Sequence, residues 1–544
     1  MTHRLVDVPA LAIRFDDDPA VVEKERHGDY ANHVVPRTGR LARKPVMMSY
    51  WALLSAMVWL FYGALISSLY GTVDAMIAIG LAVLASSLLS IVVTRASIAL
   101  GLSSTLLSRS VFGVLGGSFM ALLMAVTITY YTVFESSTLA AAFFLWFGHG
   151  IAEWMWQAAI CLFMLPLMLG SVQTWMARLN GLLLPFYMIG LGLILWLAVR
   201  ASSGSGEWLA QAGAVPLAAR QVPGWLSGFC LMTGTMVLIP TGADFARFCR
   251  PEDSRFHSLV TFGFPFYAWM LGLNGLAGAY LAYAMLPGDP TQEIGVVHAV
   301  LAAGGIFGLL LIVVTQIRIN TINFYEASIN FDRFVSSSFG IRLGRTPWVV
   351  MVAVATFLVM RTDVFSYIGK ALAWQSSFFV GWVAIMVVRL LFPGKGGWAA
   401  LDYRAFRVPM ITPGLVAWVA SSAIGIALVE CPGVPPLLAS LAPILSFSAA
   451  IGFFLLLSLF WRQTQPGHAL DSRLEVPDRW QAWIRCAVCT LSYSADEVDR
   501  NPLSGEAHCD ECATGMRLGR TTEASDRTGS PDAGLPLAVS SHLN

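Results

Sequence analysis

Long apolar runs, separated by short polar stretches, fill the chain from residue 46 to residue 462. A helix needs roughly 20 apolar residues to cross a bilayer core of about 30 Å. The pattern therefore predicts an all-α polytopic membrane protein with about twelve spans. In chain order the predicted spans are 46–69, 73–93, 114–147, 154–176, 179–199, 225–239, 260–285, 296–322, 348–360, 364–392, 408–429 and 437–461.

Polar segments lie on both sides of this apolar body. Residues 1–45 form a predicted cytoplasmic arm, and residues 46–462 form the predicted membrane domain. Residues 463–520 form a small cysteine-bearing module. The polar composition of residues 521–544 predicts disorder.

Composition supports the membrane class and excludes others. Hydrophobic residues make up 56% of the chain and charged residues 12%, against about 25% charged in ordinary soluble domains. The formal net charge is +1, so no global field attracts nucleic acid. We expect a lipid bilayer and a small-molecule substrate as partners, and no nucleic acid.

Basic residues fall in alternate loops, which predicts the orientation. The loops on one side contain few basic residues besides Arg200, Arg220 and Arg361. The loops rich in basic residues lie on the same side as the arm, so both termini are predicted to be cytoplasmic in a bacterial-type inner membrane. No cleavable signal peptide is expected, since the polar start with its acidic cluster at 16–18 lacks an apolar core.

Helix-weakening residues occur in the first and sixth spans. Gly63 lies in span 1, and span 6 carries Thr233–Gly234–Thr235 followed by Pro240. Glycine and proline destabilise a helix interior. Paired interruptions indicate two five-helix repeats of inverted topology with a substrate near the midplane. The alternative is that small residues only allow close helix packing.

Several stretches resemble, in the same order, motifs of nucleobase–cation symporter family 1, the purine–cytosine, hydantoin and allantoin permease type. They are Asp29–Tyr30 with Val35–Arg37, Gly101–Ser104 with Ser108–Gly113, Asp244–Phe248, and Asn323–Ser328. The resemblance implies a leucine-transporter-type fold with two further helices. It also implies alternating-access import of a flat nitrogen heterocycle or ureide, driven by sodium or protons. Arg109 and the Asp244–Arg247 pair are interpreted as helix caps and ion pairs near the inner gate.

Glu135 is the clearest candidate functional residue, because it is an acidic residue in the middle of span 3. Intramembrane acids are costly and are functional candidates by default. Tyr131 precedes it by four residues and shares its helix face. An aromatic ring stacks on a planar substrate, and a carboxylate accepts ring N–H donors. The alternative is a structural hydrogen bond to a neighbouring helix.

The substrate-binding set is predicted near the breaks and on spans 3 and 8. Span 3 lacks the Trp and Gln that the family commonly has, and Thr235 and Met236 stand where span 6 often has an aromatic. We therefore expect an incomplete aromatic sandwich, and the identity of the heterocycle stays open. The predicted set is Trp59, Tyr130, Tyr131, Glu135, Gly234, Thr235, Asn320 and Asn323.

Span 8 also bears on the coupling ion. When Asn323–Tyr325 is matched to the family motif, the hydroxyl positions of sodium-coupled members fall on Arg318 and Ile319, which offer no side-chain oxygen for a hard cation. A proton or no coupling ion is then favoured over sodium, with Glu135 as the acid and Arg318 as a fixed charge. A shifted register would give Thr315 and Asn320 those roles, and Arg318 would snorkel to the surface.

Four cysteines of the tail have paired spacing, Cys486-x-x-Cys489 and Cys509-x-x-Cys512. This spacing predicts a structural zinc site with four thiolate ligands, the alternative being four unlinked thiols. The module would then serve interaction or regulation, with a cytoplasmic protein as its partner. The remaining cysteines are expected to be packing residues.

The alternative function classes are a transporter-like receptor and a membrane enzyme. A transporter-like receptor would bind substrate and signal through the zinc-bearing tail, without accumulating it. A membrane enzyme is not expected, since the sequence has no nucleotide loop, convincing nucleophile–base pair or catalytic metal motif.

Overall fold

The computed structural model describes residues 8–148, 150–168, 172–202, 207–285, 293–341, 343–362, 368–461 and 470–519. The disorder predicted for residues 521–544 lies outside the described residues. Most described residues are helical. The helices are α1 Pro19–Gly28, α2 Arg43–Tyr50, α3 Met57–Tyr70, α4 Thr72–Leu100, α5 Ser104–Phe147, α6 Glu153–Met168, α7 Val172–Ala201, α8 Gly224–Met232, α9 Leu238–Ala246, α10 Ser254–Phe256, α11 Phe264–Tyr267, α12 Asn274–Met285, α13 Glu293–Gly304, α14 Ile306–Phe339, α15 Arg345–Met360, α16 Ile368–Leu391, α17 Pro413–Glu430, α18 Pro436–Ser440, α19 Ala442–Phe460 and α20 Asp510–Arg517.

The helices bear out a polytopic membrane protein. In the described part of the chain, nine helices are long and apolar enough to cross a bilayer, and ten if the bent pair Arg43–Ser55 and Met57–Tyr70 is one span. Two shorter apolar helices, Glu153–Leu167 and Arg345–Met360, stand where the fourth and ninth spans are predicted. The all-α prediction is confirmed.

Spans 1 and 6 are both interrupted, as the sequence predicted. Span 1 consists of α2 with a 3-10 turn and then α3, joined at Ala56, whose backbone is extended (φ −62°, ψ 132°), with a bend of 42°. Span 6 consists of α8 and α9, separated by the 3-10 segment Thr233–Val237. The break in span 1 leaves the N–H groups of Met57 and Val58 without helical partners. The 3-10 segment of span 6 keeps its backbone hydrogen bonds, with the N–H of Leu238 bonded to the carbonyls of Thr235 and Met236.

Gly63 does not make the break in span 1; it lies inside helix α3. A Cβ atom at Gly63 would lie 1.8 Å from the carbonyl oxygen of Gly275, and one at Gly278 would lie 1.8 Å from that of Leu60. The two helices α3 and α12 therefore pack backbone against backbone. For Gly63 the close-packing alternative is correct.

Two other boundaries differ from the prediction. The predicted eighth span, 296–322, is divided at Gly305 (φ +54°) into α13 and the long α14, which carries span 8. Span 3 is the main part of α5, and Gly113 (φ +79°) kinks that helix near its start. A Cβ atom there would lie 2.6 Å from the carbonyl oxygen of Pro409, so only glycine fits.

The arm and the tail meet at one end of the bundle, which we call the terminal face (residues 8–45 and 470–519). Strand β1 (Ile13–Arg14) pairs antiparallel with β2 (Trp483–Arg485), and β2 pairs with β3 (Ser492–Ser494). Strands β4 (Asp499–Arg500) and β5 (Ala507–His508) form a second, two-stranded sheet. Val21 of α1 lies in the same hydrophobic cluster as Trp483 and Tyr493. The two ends of the chain thus build one small core.

Candidate functional site

A buried cavity lies between the breaks of spans 1 and 6 and the middle of spans 3 and 8. Its volume is about 20 Å³, which is room for about one water molecule. Most of its wall is apolar, with a few convergent polar groups, as in small-molecule sites. The lining residues are Leu53, Ala56, Val58, Trp59, Ile128, Tyr131, Glu135, Val237, Leu238, Thr241, Ile319, Ile322, Asn323 and Glu326.

The Glu135 carboxylate caps the second half of span 1. It accepts hydrogen bonds from the backbone N–H groups of Met57 and Val58, both at 3.2 Å. These are the first residues of α3, where N–H groups lack helical partners and the helix dipole favours an anion. The Nε2 of Gln316 donates a third bond at 2.7 Å. The alternative of a structural hydrogen bond to a neighbouring helix is therefore realised, and the carboxylate also lines the cavity.

Tyr131 lies on the same wall, one turn before Glu135. Its hydroxyl accepts a hydrogen bond of 2.8 Å from Gln375 of α16, which carries span 10. The same amide nitrogen donates to the carbonyl oxygen of Gly234 at 2.5 Å. Gln375 thus joins spans 3, 6 and 10 at the edge of the cavity.

One aromatic face of the cavity comes from Trp59. Its indole N–H donates to the carbonyl oxygen of Leu53 at 2.7 Å, which fixes the ring across the break. Thr235 is buried outside the lining, and its hydroxyl donates to the carbonyl of Met232 at 2.7 Å. Among the described residues, span 6 adds no aromatic ring to the lining, as expected for an incomplete sandwich.

Span 8 presents a row of amide side chains at Gln316, Asn320 and Asn323. Their spacing of four and three residues places them along one helix face. Within the described part of the chain, the buried Oε1 of Gln316, both amide atoms of Asn320 and the Nδ2 of Asn323 have no hydrogen-bond partner. Buried amides without partners are rare, which points to water or a ligand that completes them.

Arg318 is fully buried and does not snorkel to a surface. Its Nη2 donates to the carbonyl of Trp51 at 2.9 Å, its Nε to the hydroxyl of Ser55 at 3.1 Å, and its Nη1 to the carbonyl of Asn180 at 2.9 Å. The guanidinium therefore joins span 8 to the break of span 1 and to α7, the fifth span. The Thr315 hydroxyl donates to the carbonyl of Ile312 in its own helix at 2.7 Å.

Ion pairs close the bundle on the terminal face. Asp244 of span 6 pairs with Arg333 of span 8 at 2.9 Å and accepts 2.7 Å and 3.1 Å bonds from the hydroxyl and N–H of Ser104. Arg247 donates to the backbone carbonyls of Tyr30 at 2.6 Å and Asp29 at 2.9 Å. Asp244 therefore pairs a charge and caps the start of α5, as predicted, whereas Arg247 binds backbone carbonyls rather than a carboxylate.

The four tail cysteines converge. The sulfur atoms of Cys486, Cys489, Cys509 and Cys512 all lie within 4.8 Å of one another, and those of Cys489 and Cys509 are 3.9 Å apart. Four thiolates at about 2.3 Å from a zinc ion in tetrahedral geometry are about 3.8 Å apart. The cluster can hold a metal ion, and its four soft ligands fit zinc without an open position.

The structure brings part of the predicted set together. Trp59, Tyr131, Glu135 and Asn323 line the cavity. Tyr130, Gly234, Thr235 and Asn320 do not line it. The sequence prediction missed Gln316 and Gln375, although a polar residue inside an apolar span is itself a signal. It also missed Glu326, which lies in a motif that the sequence assigned only to family resemblance.

No protein-family model and no curated protein sequence matches the chain. Solved structures do match it. Mhp1, a nucleobase-cation-symport-1 family transporter in a closed conformation with bromovinylhydantoin bound, superposes with a TM-score of 0.63 over 82% of this chain and 98% of that chain, at 15% identity. The chain has the Mhp1 fold. A Na⁺-coupled sialic acid symporter (TM-score 0.57, 10% identity, 82% and 97% covered) shares it.

The Mhp1 fold extends to proteins with other cargoes. The Eremococcus coleocola manganese transporter matches with a TM-score of 0.51 and 14% identity over 78% of this chain and 98% of that chain. The fold prediction, a leucine-transporter-type arrangement, is thereby confirmed. Since one fold serves a hydantoin, a sugar acid and a metal ion, the substrate must be argued from the cavity.

Proposed function

We propose that this protein is a secondary active transporter of nucleobase–cation symporter family 1 that imports a planar nitrogen heterocycle by alternating access. The membrane is a bacterial-type inner membrane, and the terminal face is cytoplasmic, as the placement of basic residues favours. The Mhp1 fold and the cavity at the paired helix breaks support a transport role, because such breaks form the substrate sites of this transporter architecture.

The observation that carries the substrate class is the combination of groups around the cavity. The Trp59 ring offers one flat apolar face. Glu135 offers acceptors, and the unpartnered amide nitrogen of Asn323 offers a donor. Hydantoins, ureides and nucleobases are flat and carry N–H and C=O groups along their edges, so they match this set.

Glu135 retains room for a substrate N–H. A carboxylate has about four acceptor sites, and Met57, Val58 and Gln316 use three of them. The remaining site is available to a ring N–H. We propose that Glu135 is the substrate acceptor or the proton-carrying group of the transport cycle.

We further propose that transport does not need sodium. A hard cation held between spans 1 and 8 needs oxygen ligands from both. Here the Arg318 guanidinium takes the carbonyl of Trp51 and the hydroxyl of Ser55 for itself. Arginine cannot readily lose its proton, so Arg318 acts as a fixed charge and any proton coupling falls to an acid such as Glu135.

Uptake into proteoliposomes tests the proposal. The purified full chain is reconstituted and offered radiolabelled hydantoin, allantoin, cytosine and a purine, with sodium present or replaced by choline at fixed pH and membrane potential. We expect at least one heterocycle to accumulate, equally well in choline. Binding without accumulation would make the protein a receptor, and uptake that collapses in choline would overturn the fixed-charge role of Arg318.

The cysteine cluster is proposed to hold one structural zinc ion. All four ligand positions come from the chain, which leaves no place for a reacting water. The zinc therefore supports the fold of the tail and takes no part in transport chemistry.

A further inference from the structure

The cysteine module is joined to the arm by buried contacts. Besides the β1–β2 pairing, the Glu497 carboxylate accepts a 3.0 Å bond from the backbone N–H of Val34 and pairs with the ring of His33. His33 also stacks on Tyr493, with ring centroids 4.3 Å apart. The arm continues from these residues directly into α2, the first half of span 1.

The same module is joined to the start of α5. Asp510 of α20 pairs with Arg109, which lies before the Gly113 kink, and both side chains are buried. Arg109 also donates to the hydroxyl of Thr514 at 3.2 Å. An ion pair between two buried partners is strongly coupled, because removing one partner leaves the other charge uncompensated.

A third attachment is the segment 402–408, between spans 10 and 11. Arg407 donates to the two carboxylate oxygens of Asp499 at 2.8 Å and 2.9 Å. Arg517, at the end of α20, donates to the backbone carbonyls of Ala405 and Val408. Through these contacts α20 is held against the membrane domain.

These attachments lie on parts of the bundle that must separate for a substrate to leave on the terminal face. The arm leads into α2, and its backbone carbonyls accept hydrogen bonds from Arg247 of span 6. Asp244 of span 6 in turn holds Ser104 of α5 and Arg333 of α14. Alternating access in folds of this kind rocks one helix group against the other. The module ties the arm on one side to α5 on the other.

We propose that the four-cysteine module is a metal-dependent clamp that holds the terminal face closed. The gating role of the clamp rests on the proposed transport function. The metal-dependent docking of α20 and the arm does not. With the metal bound, α20 stays docked, and the arm with α2 stays against α5. Loss of the metal, by chelation or by oxidation of the thiolates, undocks α20 and lets the arm lift.

The metal matters because its ligands position the docking helix. Cys509 is the N-cap of α20 and Cys512 lies in its first turn, while Asp510, Thr514 and Arg517 of the same helix make the docking contacts. The metal joins this helix to the turn after β2. Small metal modules owe much of their folding free energy to the ion.

Cys249 provides a built-in reporter of the lifted state. It is fully buried, its carbonyl accepts a 3.2 Å bond from Arg40 of the arm, and the N–H of Leu41 donates to the adjacent Phe248 carbonyl at 2.8 Å. In full-length, metal-loaded protein, alkylation of Cys249 by a hydrophilic maleimide is followed by peptide-resolved mass spectrometry. The exposed Cys431 is the internal reference.

The key variant is Asp510→Asn, which removes the negative charge that pairs with Arg109 without changing a metal ligand. We expect its metal content to match the parent and its Cys249 to label about tenfold faster or more, because the rate follows the population of the open form. Stripping the parent of metal with a chelator should have the same effect. The matched control is Glu506→Gln, on the exposed surface of the module, which should label like the parent.

Two results would overturn the clamp: Cys249 labelling at the parental rate in metal-loaded Asp510→Asn, or at the parental rate after the metal is removed. Labelling needs no substrate. A failure to find heterocycle uptake would therefore refute the proposed function and leave this measurement unaffected.

Discussion

At the scale of single residues, Glu135 has one observed role, capping α3, and one proposed role, accepting a substrate N–H. Its carboxylate stabilises the broken helix by accepting from Met57 and Val58, and it faces the cavity, where its remaining acceptor site could bind a substrate N–H. Because the same carboxylate would bind both α3 and the substrate, substrate binding can change its hydrogen bonds to α3. Substrate binding and the conformation of α3 are therefore expected to be linked.

Glu135→Gln keeps the size of the side chain and removes its charge. Hydrogen bonds to charged groups contribute about 1.5–3 kcal/mol, so we expect affinity for the transported heterocycle to fall about ten- to a hundredfold. The measurement is the concentration dependence of uptake in proteoliposomes from pH 5 to 8. Thr129→Val is the control, since that hydroxyl bonds only its own helix at Ala125. Parental uptake across this range would remove Glu135 from the mechanism.

Arg318 is expected to tolerate neither Lys nor Gln. A lysine is a point charge that cannot reach the Trp51, Ser55 and Asn180 oxygens as a planar fork does. We expect Arg318→Lys to lower the uptake rate about tenfold, and Arg318→Gln to lower it further because three buried acceptors lose a charged donor. Uptake and melting temperature are measured together. A fully active Arg318→Gln protein would show that the buried charge is dispensable.

Of the residues predicted on spans 3 and 8, Tyr131, Glu135 and Asn323 line the cavity, but the sequence did not predict their hydrogen-bond partners. Glu135 stands out because an acid inside an apolar run is costly. Its partners depend on where span 1 breaks, and that break falls at Ala56, between residues with no helix-breaking signature. The Gln316 contact likewise depends on how two distant helices are rotated against each other.

At the scale of elements, close packing of α3 and α12 is the feature most sensitive to substitution. Both helices approach through glycines, and the carbonyl oxygen of Gly275 occupies the space of a Cβ at Gly63. Because the obstacle is backbone rather than a side chain, it cannot rotate away. The helix pair must move apart if the glycine is replaced.

Gly63→Ala is expected to destabilise the protein by about 3 kcal/mol or more, at the upper end of overpacking effects. Gly80→Ala is the matched control, since among the described residues no packing neighbour lies within 4 Å of a Cβ at that position of α4, and alanine favours a helix over glycine. Melting temperatures of the purified proteins provide the comparison. Equal melting of the two variants would contradict the packing argument.

Hydropathy predicted which segments form helices, but it could not predict where a helix breaks within an apolar run. The run 296–322 reads as one span, and only the positive φ of Gly305 divides α13 from α14. Hydropathy cannot register such a turn, because a glycine keeps an apolar run apolar. The interruption of span 6 was predictable since Thr233–Thr235 also brings polarity.

At the scale of the whole molecule, the arm and the cysteine module behave as one body. Val21 of the arm lies in the hydrophobic cluster of the module, and Arg14 pairs with Trp483 across the sheet. No local sequence pattern predicts this pairing, because the entire membrane domain separates the two segments in the sequence. The sequence therefore predicted the two segments separately and could not predict their union.

The full chain is expected to bind about one equivalent of zinc. Cys486→Ser should lower the bound metal well below that, since three thiolates and a hydroxyl form a weaker tetrahedral site. Cys431→Ser, outside the cluster, is the control and should retain the metal. Elemental analysis of the purified proteins under reducing conditions decides. A parent without metal when zinc is supplied would refute the site.

Docking of the arm should weaken in alkali. Burial by itself lowers the pKa of His33, but Glu497, with Glu511 and Glu25 nearby, raises it to about 10 from the usual 6.5. Tyr493 stacks on the ring, and Lys24 lies beside Glu511. The folded pKa lies above the unfolded one, so this contribution is full below pH 6.5 and is lost as pH rises through 10.

His33→Gln removes that titration and serves as the reference. The parent should melt at a higher temperature than His33→Gln near pH 6.5, and the gap should shrink as the pH approaches 10. Each protein is compared at the same pH and zinc concentration. A gap that stays constant over this range would mean that the charge on His33 contributes nothing to docking.

The β1–β2 pairing also has a consequence for how the protein is made. The arm leaves the ribosome before the spans described above, whereas its sheet partner, Trp483–Arg485, follows them. The arm must wait unpaired while every helix is inserted, and the shared core can close only on a chain that has been translated through α20. A truncated product that lacks β2 would therefore have an unpaired arm, which is open to proteolysis.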